Sequence, residues 1–235
     1  MKSPNSNSET TSFSMNCRGK LIDLSIPKIM GILNLTPDSF SDGGKFNEHK
    51  AALTQAEKML TEGAEIIDIG PQSTRPNAQV LSATEEISRI GNVISLIRNE
   101  FPEALISLDT FYAETVKFGF DEGLDIVNDI SGGMFDEKMF EIVGQTGLPY
   151  ILMHVNPTYK SMHEKLIEDE IILNINRYFS KKILELRKFG VKDIILDPGF
   201  GFGKSVEQQH QMIDELEYMG FGVGIRGFHK GKFNE

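Results

Sequence analysis

The chain has no tryptophan and one cysteine, Cys17. A lone cysteine cannot close an intrachain disulfide, so a disulfide-stapled fold is excluded and a reducing cytoplasm is the expected compartment. No run approaches the ~20 apolar residues of a membrane-spanning helix. The opening MKSPNSNSETTSFSMN is polar and lacks the apolar centre of a signal peptide. Positive charge is scarce: 24 Lys and Arg face 34 Asp and Glu, a net charge of −10. That balance argues against a protein built to grip a nucleic-acid backbone, although a few local Arg and Lys still suffice for an anionic small molecule. Metal-ligand spacing is missing too. His49, His154, His163, His210 and His229 are scattered and no cysteine accompanies them. There is no GxSxG elbow and no cysteine nucleophile with a partner.

What is present is alternation. Hydrophobic residues make up 40% of 235 positions, enough for a core in a chain of this length. Residues 1–16 are expected to form a flexible tail, with Met15 an alternative start, and Cys17 to Leu24 a short hairpin. Apolar strand-like runs follow at Lys28–Thr36, Glu65–Gly70, Leu105–Thr110, Asp125–Ile130, Tyr150–Val155 and Lys192–Pro198. Between and after them lie helical patterns at His49–Gly63, Thr84–Phe101 with Thr84 as N-cap, Tyr112–Gly123, Asp136–Thr146, Glu168–Phe189 and Ser205–Met219. Six βα units of short Ile-, Leu- and Val-rich strands predict an α/β protein with a parallel sheet covered by helices. Asn34, Asp68, Asp109, Asn128, His154 and Asp197 all stand at or near the C-terminal end of a strand. Polar residues at that end of every strand predict one site at one end of a (β/α)8, TIM-type barrel rather than the switch point of an open sheet. The barrel is expected over 17–219, and an irregular tail over 220–235.

Four segments carry candidate chemistry. Asn34–Gly44, NLTPDSFSDGG, is a long, turn-rich βα loop, either an ordinary connection or a lid bringing Asn34 and Phe40 over a ligand. Ser73-Thr74-Arg75-Pro76 offers Arg75 as an anion clamp or as a solvated arginine. Asp109, Asn128 and Asp197 either cap the following helices or converge. Convergent, they suit a flat heterocycle with amidine-like N–H groups, because one carboxylate accepts two parallel hydrogen bonds. Asp197-Pro-Gly-Phe-Gly-Phe-Gly-Lys-Ser205 resembles a phosphate loop but misses the spacing, having Pro198 where a Walker glycine is needed and Lys204 where the third glycine of GxGxxG is needed. Its glycines are read as letting backbone and Phe202 approach a ligand. His154 is read as a satisfied polar residue.

Together Met30–Gly44, Glu65–Pro76, Ser107–Thr110, Val127–Gly133, Ile151–His154 and Asp197–Ser205 resemble dihydropteroate synthases in order and spacing. The resemblance implies a transferase of folate biosynthesis. It would bind 6-hydroxymethyl-7,8-dihydropterin pyrophosphate, Mg²⁺ and p-aminobenzoate. It places Asp109, Asn128 and Asp197 on the pterin with Ile130 and Met153 along the ring. Asn34 would meet pyrophosphate and its Mg²⁺, and Arg75 the phosphate. Phe40, Thr74, Pro76 and Phe202 would shape the aminobenzoate pocket, and Lys204 joins the substrate-binding set. Asn34, Arg75 and Asp109 are the expected catalytic residues. Two alternatives share the barrel: a methyltetrahydrofolate-binding methyltransferase domain, and a non-catalytic pterin-binding remnant.

The chain departs from the family pattern. The usual acidic residue of the loop after the second strand is replaced in Gly70-Pro71-Gln72. The loop after Val155 reads VNPTYKSM, a less glycine-containing form. The family's Ser-Arg-Lys-Ser and Arg-x-His motifs are absent, and Arg226-Gly-Phe-His229 has another spacing. Residues 220–235 fall short of the roughly 60 that two further βα units take. The expectation is therefore low stability or self-association, with turnover below that of a complete barrel; the alternative is a distorted seventh strand with a homodimer partner filling the gap.

Overall fold

The computed structural model describes residues 13–35, 44–72, 80–155 and 170–219. A hairpin of β1 (Ser14–Cys17) and β2 (Lys20–Asp23) opens the fold. The βα units follow: β3 (Met30–Asn34) and α1 (Gly44–Thr61), β4 (Ile66–Gly70) with α2 (Ala83–Ile90) and α3 (Val93–Glu100), then β5 (Leu105–Asp109) and α4 (Ala113–Glu122). They continue with β6 (Ile126–Asp129) and α5 (Met139–Thr146), β7 (Tyr150–Met153) and α6 (Ile171–Lys188), and β8 (Ile194–Asp197) and α7 (Val206–Asp214). Strands β3 to β8 form one sheet in chain order, every pair parallel. An order without reversal has no switch point, so the strand ends gather at one face, as in a (β/α)8-type barrel; the described residues supply six of its units. None of the described helices is long and apolar enough to cross a membrane.

Alternation along the strands sorts the side chains into two layers. Ile67, Ile69, Ile106, Leu108, Val127, Leu152 and Leu196 point out and are buried beneath the helices, against Ala52, Ala56, Ile94, Val116 and Phe179. Ile66, Leu105, Ile126, Ile151 and Ile195 point in and close the N-terminal end of the barrel.

Met15 and Cys17 join that inner layer, each 2% exposed. Here the structure corrects the sequence reading. Strand β1 lies inside the segment read as a tail, and the hairpin is Ser14–Asp23. It is tied by a two-residue turn, Arg18 and Gly19, both at positive φ (52° and 89°), the backbone that favours right-twisted hairpins. Arg18 then donates to the carbonyl of Phe120 at 2.9 Å, fixing the hairpin under the barrel. The single helix expected over 84–101 is two. Gly91, at φ 51°, ends α2, and Ser82 rather than Thr84 caps its start in a reciprocal box with Glu85. The irregular tail expected over 220–235, with its alternative of a distorted seventh strand, lies outside the described residues.

Candidate active site

The inward positions at the C-terminal strand ends are polar. In register, Asp109 on β5 stands beside Asn128 on β6, Met153 on β7 beside Asp197 on β8, and Asn34 on β3 beside Gly70 on β4. Asn128 is 4% exposed and its Nδ2 donates to Asp68 Oδ2 at 3.0 Å. A carboxylate only accepts, so the amide nitrogen must face Asp68, and this fixes which way the Asn128 oxygen points. Asp68 is fully buried one step below the rim, beside Ser107. Sequence reading noted it at a strand end but gave it no role; an acid inside the apolar run EIIDIG was the signal, since such a group needs a partner.

An apolar wall stands over this polar floor. Phe111, Ile130, Met153 and Val155 are buried together, with Tyr112, Met134, Phe135 and Phe202 packed against them. The wall is held from behind. Asp129 points outward from β6, and its carboxylate accepts from the amides of Ser131 at 2.7 Å and Gly133 at 2.9 Å and from the Tyr150 hydroxyl at 2.6 Å. These bonds fix the turn that carries Ile130. Burial pushes the Asp129 carboxyl above its ordinary range, the hydrogen bonds acting against it. Tyr178 donates to the Met153 carbonyl at 3.0 Å, and Gly132 leaves room for it, since a Cβ there would lie 1.9 Å from the tyrosine oxygen.

The helix-capping alternative for these residues is not what the structure shows. The first amide of α4, that of Ala113, donates to Asp136 Oδ2 at 2.8 Å, α7 is capped by Ser205, and Asp197 Oδ1 accepts from the Gly199 amide at 2.8 Å, ordering the loop after β8. That loop does come close to its neighbour: a Cβ at Gly199 would lie 2.2 Å from the His154 carbonyl. Two readings are corrected. His154 follows inward-facing Met153, so it faces out, its Nε2 3.0 Å from Asn174 Oδ1 and its ring against Tyr178; it is buried polar structure and does not converge with the other strand-end residues. Lys204, assigned to substrate, is 5% exposed and spends its N–H groups on the carbonyls of Gly199 (2.9 Å), Phe202 (3.0 Å) and His154 (3.2 Å). An ammonium has three donors, so none is left for a ligand.

The loop after β4 is anchored at both described ends. Gln72 exchanges bonds with the Leu81 backbone and donates to Glu86 Oε1 at 2.8 Å; Thr110 donates to Glu86 Oε2 at 2.6 Å. Burial raises the Glu86 carboxyl above its ordinary range, the bonds from Thr110 and Gln72 opposing. Phe40, Thr74, Arg75 and Pro76 lie outside the described residues.

Fold and site define a parallel β/α protein of barrel type whose polar floor and apolar wall sit at the C-terminal strand ends. The comparisons narrow the class. The family model described as pterin binding enzyme matches residues 30–225, and the chain belongs to that family. It is 42% identical over 198 residues to the dihydropteroate synthase of Synechocystis sp., covering 82% of this chain and 68% of that one. It is 41% identical over 194 residues to the mitochondrial folate synthesis bifunctional protein of Arabidopsis thaliana, covering 80% of this chain but 35% of that protein. A solved structure of Xanthomonas albilineans dihydropteroate synthase with 4-aminobenzoic acid superposes with a TM-score of 0.82 at 31% identity, covering 92% of this chain and 77% of that one.

Proposed function

We propose that this chain is a dihydropteroate synthase. It condenses 6-hydroxymethyl-7,8-dihydropterin pyrophosphate with p-aminobenzoate to give 7,8-dihydropteroate and pyrophosphate. The observation that carries the reading is the Asp109–Asn128–Asp68 group on neighbouring strands, with Asp197 on β8, beneath the Ile130–Met153 wall. It offers carboxylate acceptors and one oriented amide to the edge of a flat heterocycle, and apolar surface to its face.

In the reaction the C–O bond to pyrophosphate breaks and the leaving group takes the electron pair. Positive charge spreads from the methylene into the pterin, where the Asp109, Asp68 and Asp197 carboxylates stabilise it. The aniline nitrogen, neutral at pH 7, forms the new C–N bond and releases a proton to water, so no strong general base is required. Mg²⁺ belongs to the proposal: it would neutralise charge on the leaving pyrophosphate. Asn34, exposed on the β3 rim, would hold it through a single amide oxygen. One protein oxygen plus substrate phosphates and water is a donor set that suits Mg²⁺. Arg75 would meet the same phosphates, with Phe40, Thr74, Pro76 and Phe202 around the aminobenzoate. A cytoplasmic location and a homodimer complete the reading, the latter read by sedimentation equilibrium.

Isothermal titration with the pterin pyrophosphate, then a pyrophosphate-release assay with p-aminobenzoate and Mg²⁺, tests it. Binding followed by aminobenzoate-dependent release is expected. Binding without release would favour the non-catalytic alternative, and no binding would remove the pterin reading altogether.

A further inference from the structure

We propose that Lys204 is a positioning residue, a three-carbonyl clamp that fastens the 199–202 loop to the end of β7 and so sets Asp197 and Phe202 toward the ligand. The inference deepens the proposed function and rests on it. Three observations meet at this side chain. Its Nζ donates to His154 O from one strand end and to Gly199 O and Phe202 O from the next loop, so a single charge joins two segments 50 residues apart in sequence. The loop has been brought close enough for this by Gly199, whose φ of 68° disfavours a side chain and where a Cβ would lie 2.2 Å from the His154 carbonyl oxygen. The loop's other end is tied by the Asp197–Gly199 bond. Asp197 thus sits between a strand and a clamped turn, and Phe202 is delivered to the apolar wall with Ile130 and Met153.

Charge matters to the clamp. Three carbonyl dipoles converge on one buried ammonium, and all three bonds need the protonated form. Burial lowers the Lys204 pKa to about 7, while the Asp197 carboxylate acts to raise it. The other titratable group against it, His154, is held low, at about 3, and stays neutral through this range. Deprotonation leaves two donors and turns a lone pair toward a carbonyl, which loosens the loop.

Lys204→Met keeps the length of the side chain and removes every donor. Two measurements test the clamp. Hydrogen–deuterium exchange of the peptide spanning 198–204 reads it without any ligand: faster exchange there, with β4 to β6 unchanged, is expected, and unchanged exchange in that peptide overturns the proposal. Titration with 6-hydroxymethyl-7,8-dihydropterin, which carries no phosphate to titrate, reads the consequence for the site. The native chain should lose affinity as pH rises through about 7, and the Met variant should bind at least tenfold more weakly at pH 6 with a flat profile. Equal affinity at pH 6 with a loosened loop overturns the positioning role. No binding by the native chain refutes the pterin reading, while exchange still decides the clamp. If Lys204→Met does not fold, Lys204→Gln, which keeps two donors, should lie between native and none in both measurements, and native-like values for it in both would equally overturn the proposal.

Discussion

A residue at the end of an apolar strand is legible because burying it unpaired is costly, so its presence needs a reason. That logic found Asp109, Asn128 and Asp197 from sequence, and the structure places all three on the inner face of one rim. It gave Asp68 no role because the partner that explains it, Asn128, is 60 residues away. It misassigned Lys204 because nothing in a GFGKS string says that the lysine turns back onto its own loop. Asp197 combines two tasks that substitution separates. One oxygen orders the loop through the Gly199 amide at 2.8 Å, and in the proposed function the charge is offered to the heterocycle. Asp197→Asn keeps an acceptor for that amide and removes the charge. It should weaken pterin binding by more than ~1.5 kcal/mol, the scale of a charge-assisted hydrogen bond, with little change in loop exchange at acidic pH, where Lys204 stays protonated without the carboxylate beside it. Asp197→Ala should lose both. A folded Asn variant that titrates with native affinity would remove Asp197 from the binding set.

Elements were read well where periodicity ran long and poorly where a single residue decided. The strands of β4 to β8 followed from Ile-rich runs and helices from amphipathic spacing. The break between α2 and α3 turned on Gly91, and the first strand on two buried residues, Met15 and Cys17, in a polar stretch. The β6–α5 connection shows a further device that sequence spacing does not display. Asp129 on β6 and Tyr150 on β7 are 21 residues apart, yet the tyrosine hydroxyl completes the carboxylate that holds the Ser131–Gly133 turn. The same carboxylate raises the Tyr150 pKa well above its ordinary value, burial being the larger cause. Tyr150→Phe removes one donor and leaves the ring. It should cost about 1–3 kcal/mol, the price of a buried acceptor left short, read as a lower urea midpoint at unchanged slope. Because the turn carries Ile130, pterin affinity should fall as well. A midpoint equal to the native one would show that Asp129 is satisfied without the tyrosine.

At the scale of the whole molecule, barrel-type order was legible because every βα unit repeats one pattern with its polar residue at the same end. Which way each polar residue faces was not, because a one-residue step along a strand reverses the face. His154 is the case in point, and its outward burial gives the protein a pH dependence of definite sign. Burial, then the Lys204 charge, lowers its pKa from 6.5 to about 3, the Asn174 bond opposing. Between those values the unfolded chain binds a proton that the folded chain does not, so folding stability falls as pH falls through this window. One proton contributes about 1.4 kcal/mol per pH unit there, or about 2 kcal/mol between pH 6.5 and 5. The buried carboxyls of Asp129 and Glu86 have the opposite sign. Raised in the folded state, they contribute most below the ordinary carboxylate range and lose that contribution as pH rises through their folded values. The observed acid limb is therefore a difference, and a variant isolates the histidine. His154→Gln keeps an amide donor for Asn174 and cannot titrate. Urea unfolding at pH 7.5 and 5.0 should show the native chain losing about 2 kcal/mol more than the variant over that interval. Parallel losses in the two proteins would mean that His154 titrates alike folded and unfolded, and would place the acid sensitivity elsewhere in the molecule.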